Sequence, residues 1–184
     1  MGWYALFVQS GKEERVREEL YRRFDRNHME CIIPQRKIPE KKNGLYIDVI
    51  KKMFPGYILL NIRMDFHTYY QIGDIPMVYR LLNYHDLTKR KVQFAEQTPE
   101  DQEAYFKRIP DDEMKGLLQL IRQDEILGYS KVLIEDSKVI VKSGPLKDME
   151  SIIKKIDKHK KRAKIMIRFF EKEVMLDVGL DILY

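Results

Sequence analysis

Hydrophobic and polar positions follow two different rhythms along this chain, and the change falls near Gly128. Trp3 to Gln9 is a β-branched and aromatic run that predicts a first strand. Ser10-Gly11-Lys12-Glu13 has the spacing of a capping box, with Ser10 at the N-cap and Glu13 reaching back to it. Val16, Leu20 and Phe24 then recur at spacing four, one apolar stripe on a charged helix expected to end near Asn27. Cys31 to Ile38 reads as a strand interrupted by Pro34. After the polar turn Glu40 to Gly44, Leu45 to Ile50 returns as its partner, so 31–50 is expected to form a β-hairpin arm. Met53-Phe54-Pro55-Gly56-Tyr57 breaks the chain, and Ile58 to Ile62 follows as a buried central strand. Asp65 is placed to cap a short helix reaching Ile72, and Val78 to Leu82 is a further strand. Thr98-Pro99 starts a helix expected to reach Arg108, and Pro110-Asp111-Asp112-Glu113 opens another with the stripe Met114, Leu117, Leu118 and Ile121.

From Ser130 onward short strands dominate. Val132–Glu135, Val139–Lys142, Ser151–Ile156, Ala163–Phe169 and Val174–Val178 are the candidates, separated by turns at Gly144-Pro145 and Lys158–Lys161. Short strands at this spacing suggest a small β-barrel. The expected organisation is α+β: a mixed domain over 1–122, a linker over 123–130 and a five-stranded β-barrel over 131–184.

Composition narrows the class. The chain has 184 residues, 44% of them hydrophobic, which suits a folded protein rather than a disordered one. Its one cysteine, Cys31, leaves no disulfide framework and no multi-cysteine zinc site. No apolar run approaches the ~20 residues needed to span a bilayer, and the N-terminus does not have the pattern of a signal peptide. A cytoplasmic location with no membrane partner is expected.

The net charge of +5 is small, but it is unevenly placed. Lys154 to Arg168 holds eight basic residues and one acidic residue, Asp157, whereas Glu96 to Glu125 holds nine acidic against four basic. A basic C-terminal part behind an acidic middle points to a nucleic-acid-binding end. The competing reading is a solvated, charged hairpin. On a strand with period two, Arg162, Lys164, Met166 and Arg168 share one face and Ala163, Ile165 and Ile167 the other.

Catalytic patterns are missing from the sequence. His28, His67, His85 and His159 are scattered, and none stands at metal-ligand spacing with another His or Cys. There is no glycine-rich phosphate loop and no nucleophile elbow. Cys31, beside Ile32 and Ile33, reads as a buried structural thiol. Asp111-Asp112-Glu113 reads as the acidic first turn of a helix rather than a metal site. No enzyme activity, cofactor or metal is expected.

Two stretches resemble a known family. Trp3-Tyr4 at the head of the first strand, a charged helix after it, Phe54-Pro55-Gly56-Tyr57 and the step Ile75-Pro76-Met77-Val78 are similar to the N-terminal (NGN) domain of the NusG family. Val139 to Leu146, with Ile152 to Asp157 and Arg162 to Arg168, resembles the KOW domain that follows it. Together they cover almost the whole chain in the family's order. Three features depart from the general factor: Ser151 replaces the usual glycine at the KOW turn, the loop after Asp157 is richer in Lys and Arg, and Thr98 to Ile109 looks extra. They resemble the specialised LoaP subfamily, antiterminators that recognise an RNA hairpin.

The resemblance implies an NGN α/β sandwich with an antiparallel sheet and an SH3-like KOW barrel. It implies that NGN docks on the clamp helices of RNA polymerase through Trp3, Tyr4, Phe54, Pro55 and Tyr57. Strand alternation places one of Trp3 and Tyr4 in the core instead. The RNA-binding set is then Lys154, Lys155, Lys158, His159, Lys160, Lys161, Arg162, Lys164 and Arg168, facing a hairpin in a nascent leader transcript. Phe169-Phe170 stands where the general factor's KOW domain contacts a ribosomal protein or the termination factor. One ring is expected in the core, while the other serves a partner or closes the barrel. The chain is expected to be a monomer. The rival implied by the same resemblance is a general elongation factor that couples polymerase to the ribosome or to the termination factor.

Overall fold

The structure, a computed structural model, describes residues 1–82, 105–121, 124–135 and 138–183. In chain order these form β1 (Gly2–Val8), α1 (Glu13–Arg23), β2 (Met29–Ile32), β3 (Gln35–Lys42), β4 (Leu45–Lys52), β5 (Tyr57–Ile62), α2 (Phe66–Gly73) and β6 (Val78–Leu81). They continue as α3 (Asp111–Ile121), β7 (Ile126–Leu127), β8 (Ser130–Glu135), β9 (Lys138–Ser143), β10 (Ile153–Asp157), β11 (Arg162–Phe169) and β12 (Lys172–Leu183). Contacts divide the chain into two compact units, the first from Met1–Ile33 and Pro55–Asp111, the second from Pro34–Phe54 and Asp112–Tyr184. Among the described residues no helix is long and apolar enough to cross a membrane.

Unit one is built on an antiparallel sheet in the order β2-β5-β1-β6. Tyr4, Leu6 and Val8 alternate onto the face that packs with Val16 and Leu20 of α1 and with Phe66 and Ile72 of α2. The stripe at spacing four is therefore the buried seam of α1. Asp65 caps α2 as its position suggests, accepting a hydrogen bond from the Thr68 amide at 2.7 Å.

The capping box at the start of α1 does not form. Lys12 is the N-cap residue, without a side-chain cap, and Ser10 is exposed. Glu13 is wholly buried and accepts the Gly56 amide at 2.8 Å instead. A distant buried donor has displaced the local one. The helix also stops at Arg23 rather than near Asn27, because Phe24 turns to extended dihedrals. The expected helix start at Thr98 lies outside the described residues, and Tyr105–Pro110 is turn and irregular chain rather than helix.

Unit two contains a five-stranded sheet in the order β10-β11-β12-β8-β9 and a three-stranded sheet in the order β4-β3-β7. The five strands expected beyond residue 130 are all present, with a short 3-10 turn over Glu150–Ile152 where strand was expected to begin. β12 spans 12 residues and serves two neighbours, pairing antiparallel with β11 up to Gly179 and then parallel with β8 from Leu180. Val132, Val141, Ala163, Ile165, Leu176 and Val178 form the buried interior.

The expected hairpin arm is β3–β4, closed by Asn43 and Gly44 with φ of 50° and 83°, the positive pair that a two-residue hairpin turn requires. Residues 34–54 were expected in the first domain by sequence order, yet they cluster with the C-terminal strands. Arg36 donates to the Asp177 carbonyl at 2.6 Å, and Arg162 donates to the Pro39 carbonyl through Nε at 3.0 Å.

Candidate functional site

At the end of β1, antiparallel pairing sets Phe7 opposite Tyr57. The Phe7 ring lies 5.3 Å from that of Tyr57 and 5.3 Å from that of Tyr79, and Tyr79 is 60% exposed. The turn that delivers Tyr57 is fixed by two interactions. Gly56 has φ 81°, where a side chain would be strained, and its carbonyl accepts the Val8 amide at 2.8 Å. Its own amide is taken by Glu13.

The residues expected at the docking surface separate. Pro55 is exposed, and Trp3 and Tyr57 are half-buried. Tyr4 is the core member of the Trp3–Tyr4 pair and is wholly buried. Phe54 is only 7% exposed and stacks on Phe169, its centroid 4.0 Å away and the planes 7° apart. Phe7 and Tyr79 were missed. The signal for Phe7 was available, since period two places Trp3, Ala5 and Phe7 on one side of β1. Tyr79 needed the β1–β6 pairing to bring it near.

The basic set in unit two divides as well. Lys154, Lys155, Lys158, His159, Lys160, Lys161, Lys164 and Arg168 are exposed, whereas Arg162 is half-buried. Arg162 and Arg168 have structural partners: the Pro39 carbonyl for the former, Glu113 for the latter at 3.5 Å. That buried Glu113 also accepts the Glu171 amide at 3.0 Å. It holds a tight turn in which Phe170 and Glu171 both have positive φ, 53° and 60°. Asp111-Asp112-Glu113 thus contributes a turn anchor, which sequence reasoning missed. Phe169 and Phe170 are both buried, so neither ring is displayed.

The loop between β10 and β11 is itself built. Asp157 accepts the Lys160 amide at 2.9 Å, and this hydrogen bond is the largest cause holding its carboxyl below the usual range. The hairpin flanks it, with the Tyr46 hydroxyl donating to the His159 carbonyl at 2.6 Å. Further along β4, Asp48 is held down by a hydrogen bond from the Tyr129 hydroxyl and by Lys37, while burial pushes the Tyr129 phenol up. Glu40 is held down by Lys51. Among the described residues, no group of three or more His, Cys, Asp or Glu side chains is placed to hold a metal ion.

These features describe a chain of two units: an α/β unit with an aromatic edge, and a second, mostly β unit with a basic rim. A family model described as Transcription termination factor nusG matches residues 1–118. The transcription termination/antitermination protein NusG of Bacillus subtilis is 26% identical over 181 residues, covering 96% of this chain and 93% of that protein. The protein of the same name from Rickettsia felis is 24% identical over 185 residues, covering 97% and 87%. Among solved structures, one titled "Domain interaction in Thermotoga maritima NusG" is similar in fold, with a TM-score of 0.53 and 22% identity over 97% of this chain and 93% of that one. The chain belongs to the NusG family.

Proposed function

We propose that this chain is a specialised, LoaP-like antitermination factor, working in the cytoplasm, that bridges RNA polymerase and a hairpin in the nascent transcript. The relatives' shared name, termination/antitermination protein, supports the general role. The hairpin reading is carried by one observation: Lys155 pairs directly across from Lys164 on the exposed edge β10–β11, beside the Lys158–Lys161 turn. Like charges opposite each other on a sheet are unfavourable, and Asp177, across from Lys164 on β12, balances only one of the two, which leaves room for a bound anion. A run of phosphates meets that need, and each one bound releases counterions.

Docking on the clamp helices is assigned to Trp3, Pro55 and Tyr57, with Phe7 and Tyr79 added beside Tyr57. Aromatics are the usual anchors of such surfaces. Tyr4 and Phe54 are buried and act by holding the cores of their own units. Binding one polymerase conformation better than another shifts the population toward it. Holding the transcript at the same time raises the local concentration of the docking unit.

The test is a salt titration of RNA-hairpin binding. Affinity should fall with a log–log slope of roughly −0.7 to −0.9 per phosphate contacted. The Lys158→Ala, Lys160→Ala, Lys161→Ala triple variant should flatten that slope and abolish antitermination while polymerase binding survives. A triple variant that binds RNA as tightly and as salt-dependently as the parent overturns the reading.

A further inference from the structure

Charge alone positions RNA without reading it. Sequence-sensitive recognition of RNA uses unpaired bases, splayed out and stacked on aromatic side chains. We propose that Tyr46 is a base-stacking residue: its ring, pinned beside the Lys158–Lys161 turn, receives an unpaired loop nucleotide of the RNA that the basic rim holds. This rests on the RNA reading above and adds to it a residue from the hairpin arm.

Three observations carry the assignment. Tyr46 is 44% exposed, and among the described residues it is the exposed aromatic of unit two. Its hydroxyl is tied to the His159 carbonyl, so the ring is oriented before any ligand arrives. The Lys161 ammonium lies 5.8 Å from the ring centroid, in cation–π range. An aromatic held between a fixed backbone acceptor and a lysine is a platform with phosphate-binding charge already beside it. Lys41 stands directly across from Tyr46 in β3 and Lys42 across from Leu45, extending the positive surface on the hairpin side. A surface tyrosine that only packed on its neighbours would need none of this charge.

Stacking and charge separate experimentally. The probes are a short RNA hairpin with 2-aminopurine in its unpaired loop and the same stem as a blunt duplex. Tyr46→Leu should weaken hairpin binding roughly five- to hundredfold, the range of base–aromatic stacking. It should leave duplex binding and the salt slope unchanged. Tyr46→Phe keeps the ring and should keep most of the affinity. The parent should quench 2-aminopurine on binding, and Tyr46→Leu should not. Thermal melts confirm that each variant is folded. If the parent binds the hairpin with steep salt dependence and Tyr46→Leu binds equally well, stacking is overturned and the charge reading stands. If the parent binds neither RNA, both are overturned. Equal loss on hairpin and duplex assigns Tyr46 to holding the loop, and overturns the stacking role.

Discussion

The rings of Phe54 and Phe169 lie parallel, 7° from coplanar with their centroids 4.0 Å apart, although 115 positions separate them in the sequence. Both are buried. Phe54→Ala should therefore lower unfolding stability by about 3–5 kcal/mol, the cost of emptying a buried phenylalanine site. A double-mutant cycle with Phe169→Ala should return a coupling of about 0.5–1.5 kcal/mol, the aromatic contribution beyond area. Denaturant melts of the four proteins supply the numbers, and purely additive losses would deny the stacking.

Glu13→Ala should cost roughly 1–3 kcal/mol, since it strands the Gly56 amide in a dry interior. Ser10→Ala should cost almost nothing, because Ser10 caps no helix. A larger loss from Ser10 than from Glu13 would restore the capping box.

Gly179→Ala should damage unit two. A Cβ there would sit 1.9 Å from Cε1 of the Tyr129 ring and 2.8 Å from the Lys37 carbonyl. Backbone cannot yield as a flexible side chain does, and overpacking of this kind costs about 1–3 kcal/mol. Thermal denaturation should register it, and amide shifts around Tyr129 and Lys37 should move first. An unchanged melting temperature would refute the close approach.

Acid should loosen the Lys158–Lys161 turn late. The folded state holds the Asp157 carboxyl below its ordinary value of 3.8. A group lowered on folding contributes its stability above the unfolded value and loses it as pH falls through the folded one. The Lys160 amide should thus keep its shift at neutral pH and change on acidification with a midpoint below 3.8. NMR titration measures it directly. A midpoint at or above 3.8 would contradict the hydrogen bond.

Residues 130–184 alone should keep the five-stranded sheet, whose interior comes from its own strands, Val132 to Val178 among them. NMR of that fragment should show shifts at His159, Arg162 and Asp177, which meet the hairpin in the whole chain. A disordered fragment would show that the sheet depends on 34–54 or on α3, whose Glu113 holds the Phe170–Glu171 turn.

Much of this was legible because its causes are local. Period two exposed β1 and β11, spacing four exposed α1, and the polar segment Glu40 to Gly44 marked a turn that the structure narrows to Asn43 and Gly44. What escaped was long-range. Glu13 fits a capping box equally well on paper, and only the Gly56 amide decides against it. Arg162 and Arg168 read as ligand-facing cations because nothing near them in the sequence shows Pro39 or Glu113. Nothing near Tyr46 in the sequence points to His159, 113 residues further on.

The assignment of residues 34–54 to unit two has a consequence for how the chain comes into being. On a ribosome the hairpin emerges first, but Tyr46 meets His159 only 113 residues later, and Arg36 waits 141 residues for Asp177. Such contacts close large loops, so they form slowly and last. For that interval Ile38, buried in the finished protein, lies open, and β3 has no partner but β4 until β7 arrives. Exposed strand edges invite pairing with other chains. Lysine at a strand edge opposes such pairing, and Lys41, Lys42, Lys51 and Lys52 stand at the two ends of this hairpin.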